Sequence, residues 1–184
     1  MKLQFKCQQF QADAAKAVVE VFAGQTFAVQ NYLIDSGIDR SGQVEEFFAE
    51  NFLGAANAKI ILSDEKILEN LEKVQRKNNL APSEKLEKID GGFNLTIEME
   101  TGVGKTYTYI KTMYELNKNF GWSKFIIVVP SIAIREGVYK TFQVTEDHFA
   151  EEYGKKIKFF IYNSARLTEI EHFAEDNDIN AKIG

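Results

Sequence analysis

The sequence is poor in cysteine, histidine and proline, and each scarcity removes a class of explanation. Its one cysteine, Cys7, excludes an internal disulfide and any zinc site built from several thiolates. The two histidines, His148 and His172, stand isolated from each other in charged stretches expected to be helical, and neither reads as a metal ligand. No run of about 18 consecutive apolar residues occurs. The opening Met1-Lys2-Leu3-Gln4-Phe5-Lys6 lacks the apolar core of a signal peptide. These absences predict a soluble, cytoplasmic protein with no membrane partner. A basic surplus is missing too: 22 Lys and Arg face 27 Asp and Glu, for a net charge of −5. No whole-surface field concentrates nucleic acid, so any such contact must be local.

What is present is enough apolar residue for one sizeable core, 45% of 184 residues. Between 8 and 23, Phe10, Ala14, Ala17, Val18, Val21 and Phe22 recur at helical spacing, and Gly24 sits where helices commonly stop. A turn is expected around Asp35-Ser36-Gly37, and a second helix over 43–53, with Val44, Phe47 and Phe48 on one face. Ser63 is an N-cap candidate with Asp64 and Glu65 in the first turn, predicting a third helix that runs to Asn78-Asn79.

Pro82-Ser83 and Asp90-Gly91-Gly92 then punctuate the chain, and strands begin to alternate with helices. Strands are expected at 94–98, 124–129 and 157–162. Helices are expected at 105–117, from Ser131 to about 142, in a short segment capped by Thr145, and from Ser164 to about 174. The run Phe125-Ile126-Ile127-Val128-Val129 has the continuous apolar character of a strand buried on both faces. The pattern predicts an α/β fold with a parallel sheet flanked by helices, preceded by a mainly helical segment, with a boundary between 1–92 and 93–184.

The residues that carry chemistry are Met99-Glu100-Thr101-Gly102-Val103-Gly104-Lys105-Thr106, set between an expected strand and an expected helix. In that context the glycines let successive N–H groups curl toward one anion, and the helix N-terminus adds its positive end. Thr101, Gly102, Val103 and Gly104 form the cradle, Lys105 brings a mobile charge to the β/γ-phosphates, and Thr106 brings a hydroxyl for the Mg²⁺ carried with ATP or GTP. A dinucleotide fingerprint is disfavoured, since Lys105-Thr106-Tyr107 follow where a third glycine would be needed. Glu100 lies in the loop, whereas water-activating carboxylates normally stand on a neighbouring strand. Glu146-Asp147 and Glu175-Asp176 follow no apolar strand. Tyr107, Tyr109, Tyr114, Phe125, Phe159, Phe160 and Tyr162 fit core packing better than base stacking. A small-molecule kinase would add a basic lid, but the chain has four arginines in all: Arg40, Arg76, Arg135 and Arg166.

Two further stretches give a resemblance. Pro130-Ser131-Ile132-Ala133-Ile134-Arg135-Glu136 resembles motif Ia of superfamily 2 helicases and translocases, and Phe10-Gln11 with Ala14 resembles their glutamine motif. Met99, where most relatives carry a small residue, and Val128-Val129-Pro130-Ser131, continuing to Val138, narrow this. Together they look like the Res subunit of type III restriction-modification enzymes.

That resemblance implies an incomplete RecA-like P-loop domain in the N-terminal part of an ATP-dependent hydrolase that translocates on and cleaves double-stranded DNA. A modification (methyltransferase) subunit is the implied partner. By the same likeness Lys105 and Thr106 act on ATP·Mg²⁺, Gln11 contacts the adenine, and Ser131 and Arg135 contact DNA. An Asp-Glu motif on a later strand, a second RecA-like domain and a nuclease would follow. Residues 178–184 are read as the approach to that next strand, which makes the chain an N-terminal fragment. The alternatives are another superfamily 2 helicase or a nucleotide-dependent interaction module.

Overall fold

The structure, a computed structural model, describes residues 5, 8–28, 31–34, 53–89, 92–163, 173 and 178–184, with the backbone alone for 31–34 and 53–56. Contacts divide the chain into two compact units, Met1–Phe27 with Lys59–Phe120 and Ala28–Ala58 with Gly121–Gly184.

In the first unit α1 (Gln9–Val21) packs against both α2 (Asp64–Lys77) and α3 (Lys105–Phe120). Ala15, Ile67 and Ile110 are buried between them, and the Phe22 ring meets Phe120 edge-on at 6.3 Å. The ends of α2 are specified locally. Ser63 accepts the Lys66 N–H at 3.3 Å, acidic Asp64 and Glu65 open the helix, and basic Arg76 and Lys77 close it, all favourable to the helix dipole. α1 has no side-chain cap at its N-terminus, and its far end is closed from outside. The Asn70 amide, 4% exposed, donates to the carbonyls of Val21 at 3.0 Å and Ala23 at 2.9 Å. Asn70→Ala takes the partner from the buried Val21 carbonyl and from the more exposed Ala23 carbonyl and is expected to cost about 1–3 kcal/mol, checked as a fall of several degrees in Tm.

A hydrogen bond from Lys73, then one from Lys66, pulls the exposed Glu69 carboxyl from its ordinary 4.5 down to about 2. The folded value is the depressed one, so this contribution is present above pH 4.5 and fades as pH falls toward 2. Acid titration followed by circular dichroism is expected to lose stability across that window in the wild type. Glu69→Gln should lose less, and added salt should shrink the difference.

The short strands β3 (Glu87–Ile89) and β4 (Gly92–Asn94), numbered after β1 (Asn31–Ile34) and β2 (Leu53–Ala56) of the second unit, form an antiparallel ladder. The expected strand at 94–98 is thereby corrected: it ends at Asn94, and residues 95–100 carry no ladder. Leu95-Thr96-Ile97 has strand propensity, but propensity is realised only where a neighbour supplies hydrogen bonds.

In the second unit β1 (Asn31–Ile34) pairs antiparallel with β2 (Leu53–Ala56). The expected turn at 35–37 lies outside the described residues, as does the helix at 43–53 apart from Leu53, which opens β2. Beyond them β5 (Lys124–Ile127), β6 (Ile157–Ile161) and β7 (Ile179–Ile183) form a parallel sheet in the order β5-β7-β6. β7 is the central strand, a correction to the reading of 178–184 as a mere approach to a strand. Asn180 and Lys182 hide its pattern, yet the Asn180 amide is buried and donates to the Asp178 carbonyl at 2.7 Å.

α4 (Ile132–Tyr153) is one 22-residue helix. The expected second cap does not form, because the Thr145 hydroxyl donates back to the Thr141 carbonyl at 2.7 Å inside a continuous helix. α4 covers one sheet face: Phe159 packs against Phe142 at 4.9 Å and Tyr139 at 5.2 Å, and Ala181 beside it is fully buried. The strand expected at 124–129 ends at Ile127, and its burial on both faces is not found: Ile126 within β5 and Val128 just past it are 64% and 82% exposed. Of the helix expected at 164–174 only Phe173 is described, and it is helical. Asn57 fixes the start of β5 by accepting from the N–H groups of Ser123 and Lys124 and donating to the Lys124 carbonyl, at 2.8, 2.9 and 2.7 Å. A parallel sheet whose β5 and β6 are joined through α4 fits part of a RecA-like fold. No helix among the described residues is long and apolar enough to cross a membrane.

Candidate functional site

The first unit gathers Gln11 and the 99–106 loop. Gly102 and Gly104 have φ of +82° and +87°, left-handed values that side chains with a Cβ rarely adopt. Between them the Val103 carbonyl is turned back and accepts from Gln11 Nε2 at 2.8 Å. Gln11 is 9% exposed, while its neighbour Phe10, expected on the inner face, is 46% exposed. In the first turns of α1 the buried stripe is thus shifted by one residue, to Gln11 and Ala15, where the loop supplies a partner for the amide, while Val21 and Phe22 are buried as expected. A Cβ at Gly104 would stand 2.5 Å from Gln11 Nε2, so the loop passes the glutamine at a distance only glycine permits.

From Gly104 the chain enters α3. The Gly104 carbonyl accepts the Thr108 N–H at 3.0 Å and the Thr108 hydroxyl at 3.3 Å. No acidic residue occupies the first turn of α3, so its leading N–H groups are not neutralised by the chain itself. Lys105 is exposed and makes no ion pair among the described residues. Thr106 is half-buried beside it. One turn on, burial raises the Tyr109 hydroxyl above its ordinary pKa, opposed by the nearby Thr106 side chain. The geometry between them falls short of a hydrogen bond, leaving the Tyr109 oxygen buried without a partner. The loop brings two left-handed glycines, an exposed ammonium and a half-buried hydroxyl together at the N-terminus of α3.

Ser131 and Arg135 belong to the second unit, at the start of α4. The Ser131 side chain accepts the Ile134 N–H at 3.3 Å as an N-cap, and the first turn carries no acidic residue. Arg135 reaches Glu136 at 3.4 Å, while its Nε is buried without a partner. Glu100 is exposed. His148 lies near Glu152 at 3.8 Å and against the Phe149 ring, an ordinary surface arrangement. No group of three or more metal-binding side chains occurs among the described residues. Sequence reasoning missed the Tyr109 hydroxyl, the Asn57 and Asn70 clamps and the bond from Gln11 to the loop. Each is a contact between sequence-distant groups or an atom lacking one, and periodicity carries no signal for either.

A model of the family described as type III restriction enzyme, res subunit, matches residues 6–180. The chain belongs to this Res subunit family. Res-family relatives agree. The chain is 35% identical over 113 residues, 60% of its length, to the type III restriction-modification enzyme EcoP15I Res subunit of Escherichia coli. The same identity and span hold for the EcoPI Res subunit of Escherichia phage P1, and 44% identity over 69 residues, 36% of the chain, for the StyLTI Res subunit of Salmonella typhimurium. The matched parts are 12%, 11% and 7% of those relatives, so this Res-family chain spans a small share of the curated proteins it resembles.

Proposed function

We propose that residues 99–106 bind the triphosphate of ATP in the motor of a type III restriction subunit. The carrying observation is the cradle itself: two left-handed glycines around Val103, held by a buried Gln11 amide, at the N-terminus of a 16-residue helix. On this reading the backbone of Thr101, Gly102, Val103 and Gly104 surrounds the phosphates and Lys105 neutralises them. Thr106 ligates the accompanying Mg²⁺, which would supply further charge neutralisation at the β- and γ-oxygens. The Gln11 oxygen, which has no partner among the described residues, is available to the adenine while the nitrogen holds the loop.

Ser131 and Arg135 are proposed to contact a DNA phosphate. The uncompensated first turn of α4 and the unpartnered Arg135 Nε support that role. In the full-length enzyme ATP hydrolysis would drive motion on double-stranded DNA, with cleavage in a complex with the modification subunit. Residues 1–92 would serve as a helical preface and 93–184 as the first part of the ATP-binding domain.

The test is equilibrium binding of a fluorescent ATP analogue to the 184-residue chain, with parallel hydrolysis assays. The chain is expected to bind ATP weakly and to hydrolyse it negligibly until downstream Res sequence supplies a water-activating carboxylate. Robust, DNA-independent phosphoryl transfer to a small acceptor by the chain alone would overturn the motor reading.

A further inference from the structure

The Tyr109 hydroxyl is a buried polar atom without a partner, and such atoms in folded proteins call for an explanation. Tyr109 follows Thr106 by three positions on α3. Helical side chains three apart are neighbours, and each leans toward the helix N-terminus, so the phenol extends over the turn that carries Thr106. The other α3 threonines near it behave differently from Thr106. The hydroxyls of Thr108 and Thr112 donate to the carbonyls four residues earlier, Gly104 at 3.3 Å and Thr108 at 2.9 Å. Thr106 makes no such bond among the described residues.

Resting on the ATP·Mg²⁺ reading above, we propose that Tyr109 is a positioning residue for Thr106: its oxygen accepts the Thr106 hydroxyl proton as a hydrogen bond when the threonine oxygen ligates Mg²⁺. A threonine hydroxyl has one donor and two lone pairs. Ligation uses a lone pair and polarises the O–H, which then needs an acceptor. Without one nearby, the hydroxyl is free to rotate away from the cation in search of another acceptor. The phenol supplies that acceptor and holds the rotamer that faces the cation. No proton leaves the threonine, and no bond is made or broken beyond the hydrogen bond.

The experiment is a Mg²⁺ titration of fluorescent ATP-analogue binding to the 184-residue chain, wild type against Tyr109→Phe, repeated in EDTA and paired with thermal melting. Tyr109→Phe is expected to keep its metal-free affinity and its Tm while needing roughly tenfold more Mg²⁺ for half-maximal enhancement. Thr106→Val should lose the Mg²⁺ enhancement, and adding Tyr109→Phe to it should change nothing further, since the phenol acts through the threonine. A purely structural role would lower Tm and metal-free binding together and leave the Mg²⁺ midpoint in place. That result, or an additive double variant, overturns the proposal alone. A wild-type chain that binds no nucleotide with or without Mg²⁺ overturns the ATP reading and this inference with it.

Discussion

Replacing Lys105 with alanine is expected to weaken ATP·Mg²⁺ binding by about 2–3 kcal/mol, roughly 30- to 150-fold. Lys105 is exposed and makes no ion pair among the described residues, so its charge supports no neighbour in the folded chain. Its loss should therefore leave Tm unchanged, and the effect should reside in nucleotide affinity. Lys105→Arg keeps the charge but replaces a compact ammonium with a broad planar group, and is expected to recover only part of the affinity. Isothermal titration with ATP, ADP and AMP gives the decisive pattern. If the ammonium meets the β/γ-phosphates, the variant loses most for ATP, less for ADP and little for AMP. An equal loss for all three would place Lys105 away from the terminal phosphates.

Gly104→Ala should damage the loop and the first unit together. At φ +87° a Cβ carries the left-handed penalty of about 1–2 kcal/mol. The added carbon would also stand 2.5 Å from Gln11 Nε2, so the amide must leave the Val103 carbonyl. An unpaired buried amide adds about 1–3 kcal/mol. Together the terms predict a clear fall in Tm and loss of measurable ATP binding. A double-mutant cycle separates them. Gln11→Ala removes the obstructing amide, so in its background Gly104→Ala should cost only the backbone strain, giving a favourable coupling between two positions 93 apart in sequence. Strict additivity would mean that the amide does not set the shape of the loop.

What the sequence made legible was local. Ser63 and Ser131 announced their helices because a cap and its first turn lie within a few residues, and α2 and α4 begin there. The family was legible for a related reason: the 99–106 loop and the 130–138 stretch are continuous strings. Thr145 misled because a hydroxyl that can cap can also bond back within a helix, and neighbours decide which. β7 escaped notice because Asn180 and Lys182 break its apolar run, and its burial depends on strands on either side. The strand expected before the loop failed for the opposite reason, strong propensity without a pairing partner. Gln11 was picked out by its motif, yet its burial and its bond to residue 103 follow from the packing of α1 on α3.

That bond also ties the loop to the rest of its unit: its ends are 92 residues apart, so the shape of the loop depends on α1 being docked on α3. A ligand that fits the finished loop binds the native chain and not the unfolded one. On the proposed ATP reading, nucleotide would act as a folding ligand, adding about 2.7 kcal/mol of stability at a concentration a hundredfold above its Kd.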